Sequence, residues 1–467
     1  MNNFWNNFFF GSLLFFVNTS AVDDISACAT FNPSIAEASL AKEKKPNILL
    51  ILTDDQGYED VSFTGTKDLN TPAIDYLREE GMRFTYFYTN SPVCAPTRAS
   101  IMTGKNPDRV GVPGLIRTNP NNNWGFLDPN VILLPMRLKE AGYHTSLIGK
   151  WNLGLSSPNL PNQKGFDLFH GWLEDMMEDY VFKRRMGQNF MRLNEKEIDP
   201  MGHATDLFSQ WAVDYIQSRK NIEEPFFLYL AYNAPHFPVQ PPEAYYQRVL
   251  KREPNIPKKR AKLIAFIEHL DEGIGKVIRS LKDSGQYDNT LIIFTSDNGG
   301  HLPSLANNGL LRDGKQSMYE GGLRVPTVMV WPDKIEKGST TEQVNATVDI
   351  YPTLLSIAGL ENNDSLNGRS FHSTLLGGEQ PSEDRELYFV RREGGIRYGG
   401  KAYHALRAGD WKLLQNSPFQ PLELYNLKND PYEKNNLMAV YPEKAEELNK
   451  KLRSHIQEGG KTPWQRK

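Results

Sequence analysis

Apolar residues along the chain fall into two patterns, short continuous runs and longer stretches with helical spacing. The continuous runs, which are short enough to be β-strands, cover residues 47–53, 225–231 and 290–296. Runs of this kind predict strands buried on both faces of a parallel sheet. The stretches with helical spacing lie at 71–80, 133–141, 205–219, 259–282 and 348–358. Strands that alternate with helices predict an α/β fold, with a large central, mixed but mostly parallel sheet sandwiched by helices.

The pattern changes after residue 378, where the sequence becomes more polar. Three shorter strand-like segments and a stretch with helical spacing follow, at 386–390, 401–407, 411–414 and 441–455. They predict a small C-terminal α+β domain, 379–467, with a short antiparallel sheet and a helix. We expect it to pack on a large α/β domain formed by 46–378.

The N-terminus carries an apolar run of another kind. Residues 8–17 have the length of the apolar core of a signal peptide and are too few to span a bilayer. The positively charged segment that usually precedes such a core is missing, since no Lys or Arg precedes Lys42. Residues 1–27 are therefore predicted to be a signal peptide or a lipoprotein leader. Cleavage after Ala21, a lipobox that makes Cys28 a lipid anchor, and an unstructured tail are the three alternatives. The protein is predicted to be secreted or periplasmic, or else an outer-membrane lipoprotein, with no membrane span.

Composition narrows the class of protein. The chain has 467 residues, of which 39% are hydrophobic and 23% charged, and a formal net charge of −3. These values are those of a globular protein without the basic field that recruits nucleic acid. A disulfide between the two cysteines, Cys28 and Cys94, is not expected because it would tie a flexible tail to a buried loop.

Acidic pairs follow two of the predicted strands. Asp54 and Asp55 come directly after the first run, and Asp297 and Asn298 come directly after the third. Ligands of α/β sheets gather beyond the carboxyl ends of the strands, so the two pairs are candidates for one site. Their oxygen atoms suit Ca²⁺ or Mg²⁺ better than zinc. Each pair by itself also fits a helix cap or a solvated turn.

Cys94 stands in an unusual setting, Ser-Pro-Val-Cys-Ala-Pro-Thr-Arg at 91–98. This stretch resembles the Cys-x-Pro-x-Arg signature of the type I sulfatases, in which the cysteine is oxidised after translation to formylglycine (3-oxoalanine). Further segments resemble other motifs of that family, in the family's order: 53–57, 149–154, 234–236, 296–300, and 314–315 with 320–326. From residue 46 to about residue 437, the chain is thus identified as a member of the formylglycine-dependent sulfatases, in the alkaline phosphatase superfamily.

The resemblance implies a metal-assisted site with an unusual nucleophile. In the family the aldehyde hydrates, and one of its two hydroxyls attacks sulfur. Arg98 would hold the hydrated aldehyde, near the start of a helix expected at about Thr97. One divalent ion, usually Ca²⁺ with Mg²⁺ as the alternative, would be bound by Asp54, Asp55, Asp297, Asn298 and formylglycine 94.

The resemblance also implies residues that handle the sulfate group and the leaving alcohol. Lys150 and Lys315 would hold sulfate oxygens, while His236 would contact the ester oxygen and, with Lys315, protonate the departing alcohol. His301, which follows the second metal segment, is a candidate to face the substrate. His269 and His455 are interpreted as helix-surface residues without a catalytic role.

One position departs from the family pattern. Asn152 occupies the place of a histidine that, in the family, removes a proton from the second hydroxyl so that sulfate leaves. Asparagine cannot accept a proton at neutral pH. We therefore expect either that another base substitutes, such as His301 or a metal-linked carboxylate, or that breakdown of the sulfated intermediate is slow.

The resemblance predicts a sulfatase that hydrolyses sulfate esters by S–O cleavage. A sulfated carbohydrate is the expected substrate, either an algal galactan or a glycosaminoglycan-like chain, and a formylglycine-generating enzyme is the expected maturation partner. The alternatives are a phosphonate or phosphate ester hydrolase of the same superfamily, and a sulfated-glycan-binding protein that has lost turnover through Asn152. The residues that could line sugar subsites are Trp124, Trp172, Arg184, Arg185 and Arg192.

Overall fold

The computed structural model describes residues 44–362, 365–378, 385–393 and 402–465. The predicted leader, with Cys28, lies outside the described residues. The predicted domain boundary at 378/379 adjoins the undescribed segment 379–384 and stays a prediction.

The described residues form sixteen strands, which belong to three sheets. They are β1 Asn47–Thr53, β2 Met82–Phe84, β3 Phe87–Tyr88, β4 His144–Lys150, β5 Leu168–Trp172, β6 Met191–Leu193, β7 Lys196–Glu197, β8 Phe226–Ala231, β9 Thr290–Ser296, β10 Val328–Val330, β11 Thr340–Thr341, β12 Asn345–Ala346, β13 Glu386–Arg392, β14 Ala402–Ala408, β15 Trp411–Gln415 and β16 Glu423–Asn426.

The main sheet has the strand order β11-β2-β10-β9-β1-β8-β4-β5-β6-β7 within the described residues. Its centre is parallel: β1 pairs with β8 and β9, and β4 pairs with β8 and β5. Antiparallel pairs, such as β9 with β10 and β5 with β6, lie on either side of this centre. The prediction of a large, mixed and mostly parallel sheet is confirmed.

Helices cover the sheet. They are α1 Pro72–Glu80, α2 Cys94–Thr103, α3 Leu134–Glu140, α4 Ala204–Ser218, α5 Glu243–Arg252, α6 Lys258–Asp283, α7 Glu320–Leu323, α8 Ile350–Ile357, α9 His372–Leu375 and α10 Pro442–Gly459. Helices α1, α4 and α5 pack on α6, whereas α2, α3 and α8 pack on one another. Successive residues of a strand face opposite sides of a sheet, and both sides of β1 are buried from Ile48 to Thr53. Both faces of the sheet centre are therefore covered.

The C-terminal part has the predicted small antiparallel sheet and helix. Strands β13 to β16 pair in sequence order, each antiparallel to its neighbour. Tyr388 and Val390 pack with Leu448 and Leu452 of α10. Phe389, which points to the opposite face, belongs to a different hydrophobic cluster.

Two central strands were not predicted from the sequence. Strand β4 reads His-Thr-Ser-Leu-Ile-Gly-Lys and β5 reads Leu-Phe-His-Gly-Trp, so neither is a continuous apolar run. In β4 the small polar side chains of Thr145 and Ser146 are fully buried within the sheet, so a search for apolar runs does not find this strand. No helix of the described residues is long and apolar enough to cross a membrane.

Candidate active site

The two acidic pairs meet at the carboxyl ends of β1 and β9. Thr53 and Ser296 are register partners, so Asp54 and Asp297 leave the sheet side by side. The backbone N–H of Asp297 donates to the carbonyl of Thr53 at 3.0 Å. The N–H of Asp55 lies 3.4 Å from Oδ1 of Asp297. The predicted metal residues are thus brought together by the pairing of two neighbouring strands.

Asp54 lies at the centre of the site. Its Oδ2 is 2.5 Å from Nζ of Lys150 and 3.5 Å from Nη2 of Arg98. Its Oδ1 accepts a hydrogen bond from Sγ of Cys94 at 3.3 Å. All four side chains are buried, so water does not screen these charges.

Cys94 is the first residue of α2, which begins three residues earlier than the sequence analysis predicted. The N-cap residue, Val93, makes no side-chain hydrogen bond to the first turn. The positive end of the helix dipole therefore faces the site beside residue 94. Burial and the charges of Asp297 and Asp54 raise the pKa of the Cys94 thiol well above its ordinary value. The encoded side chain is a neutral thiol and a poor nucleophile.

Arg98 joins the second metal segment to the end of β4. Its Nε and Nη2 donate to Oδ2 of Asp297 at 3.1 and 2.8 Å. Its Nη1 donates to the backbone carbonyl of Lys150 at 2.9 Å. The predicted contact between Arg98 and a hydrated aldehyde stays a prediction.

Asp55 has its own set of partners. Lys315 Nζ lies 2.6 Å from Oδ1, and the amide of Asn298 donates to the same oxygen at 2.9 Å. His236 Nε2 is 3.7 Å from Oδ2. Lys315 also reaches Sγ of Cys94, at 3.9 Å. Lys315, which is predicted to bind sulfate, and His236, the predicted acid, thus both lie close to residue 94.

The residues present fit a divalent cation. Among the described residues, Oδ2 of Asp55 and Oδ1 of Asn298 are buried and lack a hydrogen-bond partner. Ligand atoms of Asp54, Asp55, Cys94 and His236 all lie within 4.8 Å of one another. Buried oxygens without donors, on carboxylate and amide groups, are the donor set that Ca²⁺ and Mg²⁺ prefer.

The carboxylates of the site respond unequally to their surroundings. Burial and the neighbouring charge of Asp54 raise the pKa of Asp297 to about 7, although Arg98 opposes this. Burial also acts on Asp54, but the surrounding basic side chains, with Lys150 the strongest, together outweigh it and hold the pKa of Asp54 below its ordinary value. The ionised form of Asp297 is therefore destabilised by burial and by Asp54 unless a proton or a cation neutralises it.

His236, Phe237 and His301 form a stack at the edge of the site. Phe237 lies between the two imidazoles, with ring centroids 4.4 Å from His236 and 5.0 Å from His301. His236 Nδ1 is 2.6 Å from the carbonyl oxygen of Phe237, and since that oxygen can only accept a hydrogen bond, Nδ1 carries the proton and donates it. The other nitrogen, Nε2, is then the one free to exchange a proton.

His301 is half-buried and linked to Ser304, whose Oγ lies 2.7 Å from Nδ1. Burial lowers the pKa of His301 to about 4, so its imidazole is neutral near pH 7. Whether His301 faces the substrate stays a prediction.

Asn152 lies two residues beyond Lys150 and is fully buried. Its backbone is in the left-handed region, with φ of 56°. Its side-chain amide donates to the carbonyl of Ile116 at 3.2 Å, while Oδ1 has no hydrogen-bond partner among the described residues. The side chain is therefore held against the 116–118 loop.

One surface assignment, that of His269, was wrong. His269 lies in α6 but is buried, with Nε2 2.8 Å from Oδ1 of Asp206, because α4 and α5 both pack against that helix. His455 is half-buried and stacks on Tyr388 at 5.1 Å. Trp172 is fully buried, and its ring packs edge-on against Phe190 with the ring centroids 5.6 Å apart.

Two acidic residues near the site were missed by the sequence analysis. Glu174 and Asp175 follow β5, at the same sheet edge as the end of β4. An acidic pair after a strand was a usable signal, but β5 itself was not recognised.

Family comparisons agree with this geometry. The sulfatase family model matches residues 46–360, and a model described as N-sulphoglucosamine sulphohydrolase, C-terminal, matches 312–461. The chain belongs to the sulfatase family. It is a sulfuric ester hydrolase with the α/β fold of that family, and members of the family use a metal ion and formylglycine.

Individual relatives support the same assignment over most of the chain. N-acetylgalactosamine-6-sulfatase of Mus musculus is 32% identical over 371 residues, covering 74% of this chain and 69% of its own length. A sulfatase of Formosa agariphila is 29% identical and matches 91% of each chain. The crystal structure of Ps i-CgsB in complex with k-i-k-neocarrahexaose is 32% identical with a TM-score of 0.83, covering 91% of this chain and 95% of that one.

Proposed function

We propose that this sulfatase cleaves the S–O bond of a sulfate ester on a carbohydrate, using formylglycine made from Cys94 and one Ca²⁺ ion. One observation carries the proposal: Cys94 opens a helix inside a buried site where the charges of three carboxylates are balanced by three cations. These groups are Asp54, Asp55, Asp297, Arg98, Lys150 and Lys315.

The metal would be held by the oxygens of both acidic pairs together with residue 94. Ca²⁺ is the proposed ion, with Mg²⁺ as the alternative, and the ligands are Asp54, Asp55, Asp297, Asn298 and formylglycine 94. When bound, the ion and the hydrated aldehyde supply an activated oxygen nucleophile and neutralise sulfate charge.

Two lysines would bind the sulfate group. Nζ of Lys150 and Nζ of Lys315 are each fixed by a carboxylate, Asp54 and Asp55. Burial opposes the charge of Lys315, but Asp55 outweighs it and raises the pKa of Lys315 above its ordinary value. Lys315 therefore keeps its proton and serves as a fixed positive charge on the sulfate oxygens.

His236 would move the proton of the leaving group. Burial and the charge of Lys315 lower its pKa, so the resting imidazole is neutral and its Nε2 is the exchangeable position. To protonate the departing alcohol, Nε2 must first take up a proton, and the imidazolium so formed would be stabilised by Oδ2 of Asp55, 3.7 Å away, and by the anionic sulfate ester. Lys315, which lies on the same side of Asp55, would favour that transfer by holding the negative charge of the sulfate.

The proposed substrate is a sulfated galactan or a glycosaminoglycan-like chain. The support comes from relatives, one named for N-acetylgalactosamine 6-sulfate chemistry and one solved with the oligosaccharide k-i-k-neocarrahexaose. A sulfated polymer of this kind is met outside the cytoplasm, which agrees with the proposed secretion or periplasmic location. Maturation would then require a formylglycine-generating enzyme.

The test is sulfate release from defined oligosaccharides. The protein is coexpressed with a formylglycine-generating enzyme, and conversion at Cys94 is measured by peptide mass. Sulfated galactan and glycosaminoglycan oligosaccharides are assayed beside an aryl sulfate and the matching aryl phosphate, with Cys94→Ala as the inactive control. Sulfate release from a sugar supports the proposal. Preference for the phosphate ester, or tight glycan binding without sulfate release from fully converted protein, would contradict it.

A further inference from the structure

A cluster of charged side chains lies beside the predicted sulfate site. We call Arg117, Asp175 and Arg185 the Arg–Asp–Arg cluster. Its position follows from the pairing of β4 with β5, in which Lys150 lies opposite Trp172. The pairing continues past the strand ends, because the N–H of Asn152 donates to the carbonyl of Leu173 at 3.1 Å.

Asp175 is held from two sides. Nε of Arg117 donates to Oδ2 of Asp175 at 3.1 Å. Nε of Arg185 lies 3.6 Å from Oδ1, a distance too long for a direct hydrogen bond. Among the described side chains, neither Oδ1 of Asp175 nor Nε of Arg185 has a hydrogen-bond partner, and Asp175 is only 6% exposed.

Glu174 positions this carboxylate and the facing loop. The N–H and Oγ1 of Thr118 donate to Oε1 of Glu174 at 2.8 and 2.6 Å. Burial and the negative charge of Asp175 raise the pKa of Glu174 to about 8. Glu174 is therefore neutral near pH 7, and Asp175 carries the negative charge of the pair.

The cluster belongs to the same electrostatic environment as the sulfate site. Burial works against the charge of Asp175, but Glu174, Arg117, Arg185 and Lys150 together hold its pKa below the ordinary value. The chain from Lys150 to Asn152 runs directly beside Trp172 and Leu173, which lead into Glu174 and Asp175. A sugar whose sulfate is held by Lys150 would therefore have its ring near these groups.

We infer that Asp175 and Arg185 are specificity-determining residues that bind one hydroxyl of the sulfated sugar. A hydroxyl oxygen can bridge Oδ1 of Asp175 and Nε of Arg185, donating to the carboxylate and accepting from the guanidinium. Both buried polar atoms gain the partner that the protein does not give them, and their positions are set before the sugar arrives. The inference rests on the proposed carbohydrate substrate.

The first variant is Asp175→Asn, which keeps the shape and removes the charge. On the best oligosaccharide substrate, kcat/KM is expected to fall about 10- to 100-fold, mainly through a higher KM. The loss on an aryl sulfate, which lacks the hydroxyl, is expected to be at least tenfold smaller. Arg185→Gln, at a side chain that is 18% exposed, is expected to shift the ratio of the two activities in the same direction.

The control and a modified substrate make the test specific. Glu446→Gln removes an exposed carboxylate that pairs with Lys450 on α10, and it is expected to change neither activity. In a series of monodeoxy oligosaccharides, the Asp175→Asn penalty is expected to vanish for the one that lacks the recognised hydroxyl. Thermal unfolding of every variant checks that the fold is kept.

Two results would overturn the inference. Equal losses of activity on sugar and aryl sulfates would show that the cluster only supports the fold of the site. Undiminished turnover of the sugar substrate in both variants would show that the cluster does not bind the sugar. A wild-type enzyme that cleaves aryl sulfate but no sulfated sugar would instead defeat the proposed substrate class. That outcome is seen before any variant is compared, so the two failures are distinguishable.

Discussion

At the residue scale, the site consists of paired opposite charges that are fixed before the substrate arrives. Each pair joins one carboxylate to one cation: Asp54 to Lys150, Asp55 to Lys315, and Asp297 to Arg98. Buried ion pairs cost desolvation energy and contribute little to stability on balance. Three of them at one sheet edge are better explained by preorganisation for an anionic substrate and a metal ion.

Replacing Asn152 with the family's histidine tests the departure from that pattern. With Asn152→His, steady-state kcat is expected to rise about tenfold or more if breakdown of the sulfated intermediate limits the wild type. The wild type should then show a rapid burst of alcohol product followed by a slower steady rate, and the burst should shrink in the variant. Rapid-quench kinetics with an aryl sulfate measures both phases.

The control for this experiment is Asn152→Ala, which removes the amide without adding a base and should not accelerate turnover. The left-handed backbone at Asn152 makes either replacement mildly strained, so unfolding temperatures should be compared. An unchanged rate in Asn152→His would show that this position does not limit turnover.

At the element scale, the start of α1 is fixed by a residue of α6. The N–H groups of Ala73 and Ile74, in the first turn of α1, donate to the two oxygens of Asp271 at 3.0 and 2.9 Å. These N–H groups have no partner within their own helix. Burial nevertheless raises the pKa of Asp271 to about 7. Asp271 of α6 thus caps the first turn of α1 with a carboxyl group that stays protonated in mildly acidic solution.

The Asp271 carboxyl should make stability depend on pH. Its folded pKa of about 7 is above the unfolded value near 4, so the folded state binds the extra proton. The resulting stabilisation is complete below about pH 4 and is lost as the pH rises through about 7. In Asp271→Asn this contribution is absent, and one of the two hydrogen bonds is lost at a cost of about 1–2 kcal/mol.

Denaturant unfolding between pH 4 and 8 provides the measurement. The free-energy difference between wild type and Asp271→Asn is expected to be largest at low pH and to shrink as the pH rises. Glu446→Gln, which removes an exposed carboxylate, is a matched control. Its difference from wild type in the free energy of unfolding should not change with pH over this range. A difference that grows with pH would contradict the raised pKa.

At the scale of the whole molecule, the C-terminal sheet completes the site from outside the main sheet. Lys412 of β15 is fully buried, with Nζ 2.9 Å from Glu320 at the start of α7 and 2.8 Å from Glu433. Arg391 of β13 donates to the carbonyl of Gln316 at 3.0 Å, and Gln316 follows Lys315. The loop that carries Lys315 is thus anchored by residues that lie more than 70 positions further along the chain.

Removing the metal should weaken the entire fold, because the proposed ligands come from segments far apart in sequence. We expect millimolar Ca²⁺ to raise the unfolding temperature of the chelator-treated protein by several degrees, since an ion that binds the folded state stabilises it by mass action. Differential scanning calorimetry over a range of Ca²⁺ and Mg²⁺ concentrations measures the effect. In Asp54→Asn the dependence should largely disappear. Equal unfolding temperatures with and without both ions would contradict the metal site.

The sequence by itself determined the fold class and most members of the candidate site. Continuous apolar runs identified β1, β8 and β9, since strands buried on both faces tolerate few polar residues. The acidic pairs after β1 and β9 then pointed to one shared edge. The setting of Cys94 indicated the family through a local motif that needs no knowledge of distant contacts.

Only the tertiary structure decided what depends on packing between distant segments. Polar residues on β4 and β5 hid both strands from periodicity, so Asp175 could not be placed beside Lys150. The burial of His269 followed from two helices closing over α6, which its own helical pattern does not reveal. The charge pairs and the cluster around Asp175 depend on distances between chain segments that sequence spacing leaves open, because they are set when the sheet edge and its loops pack together.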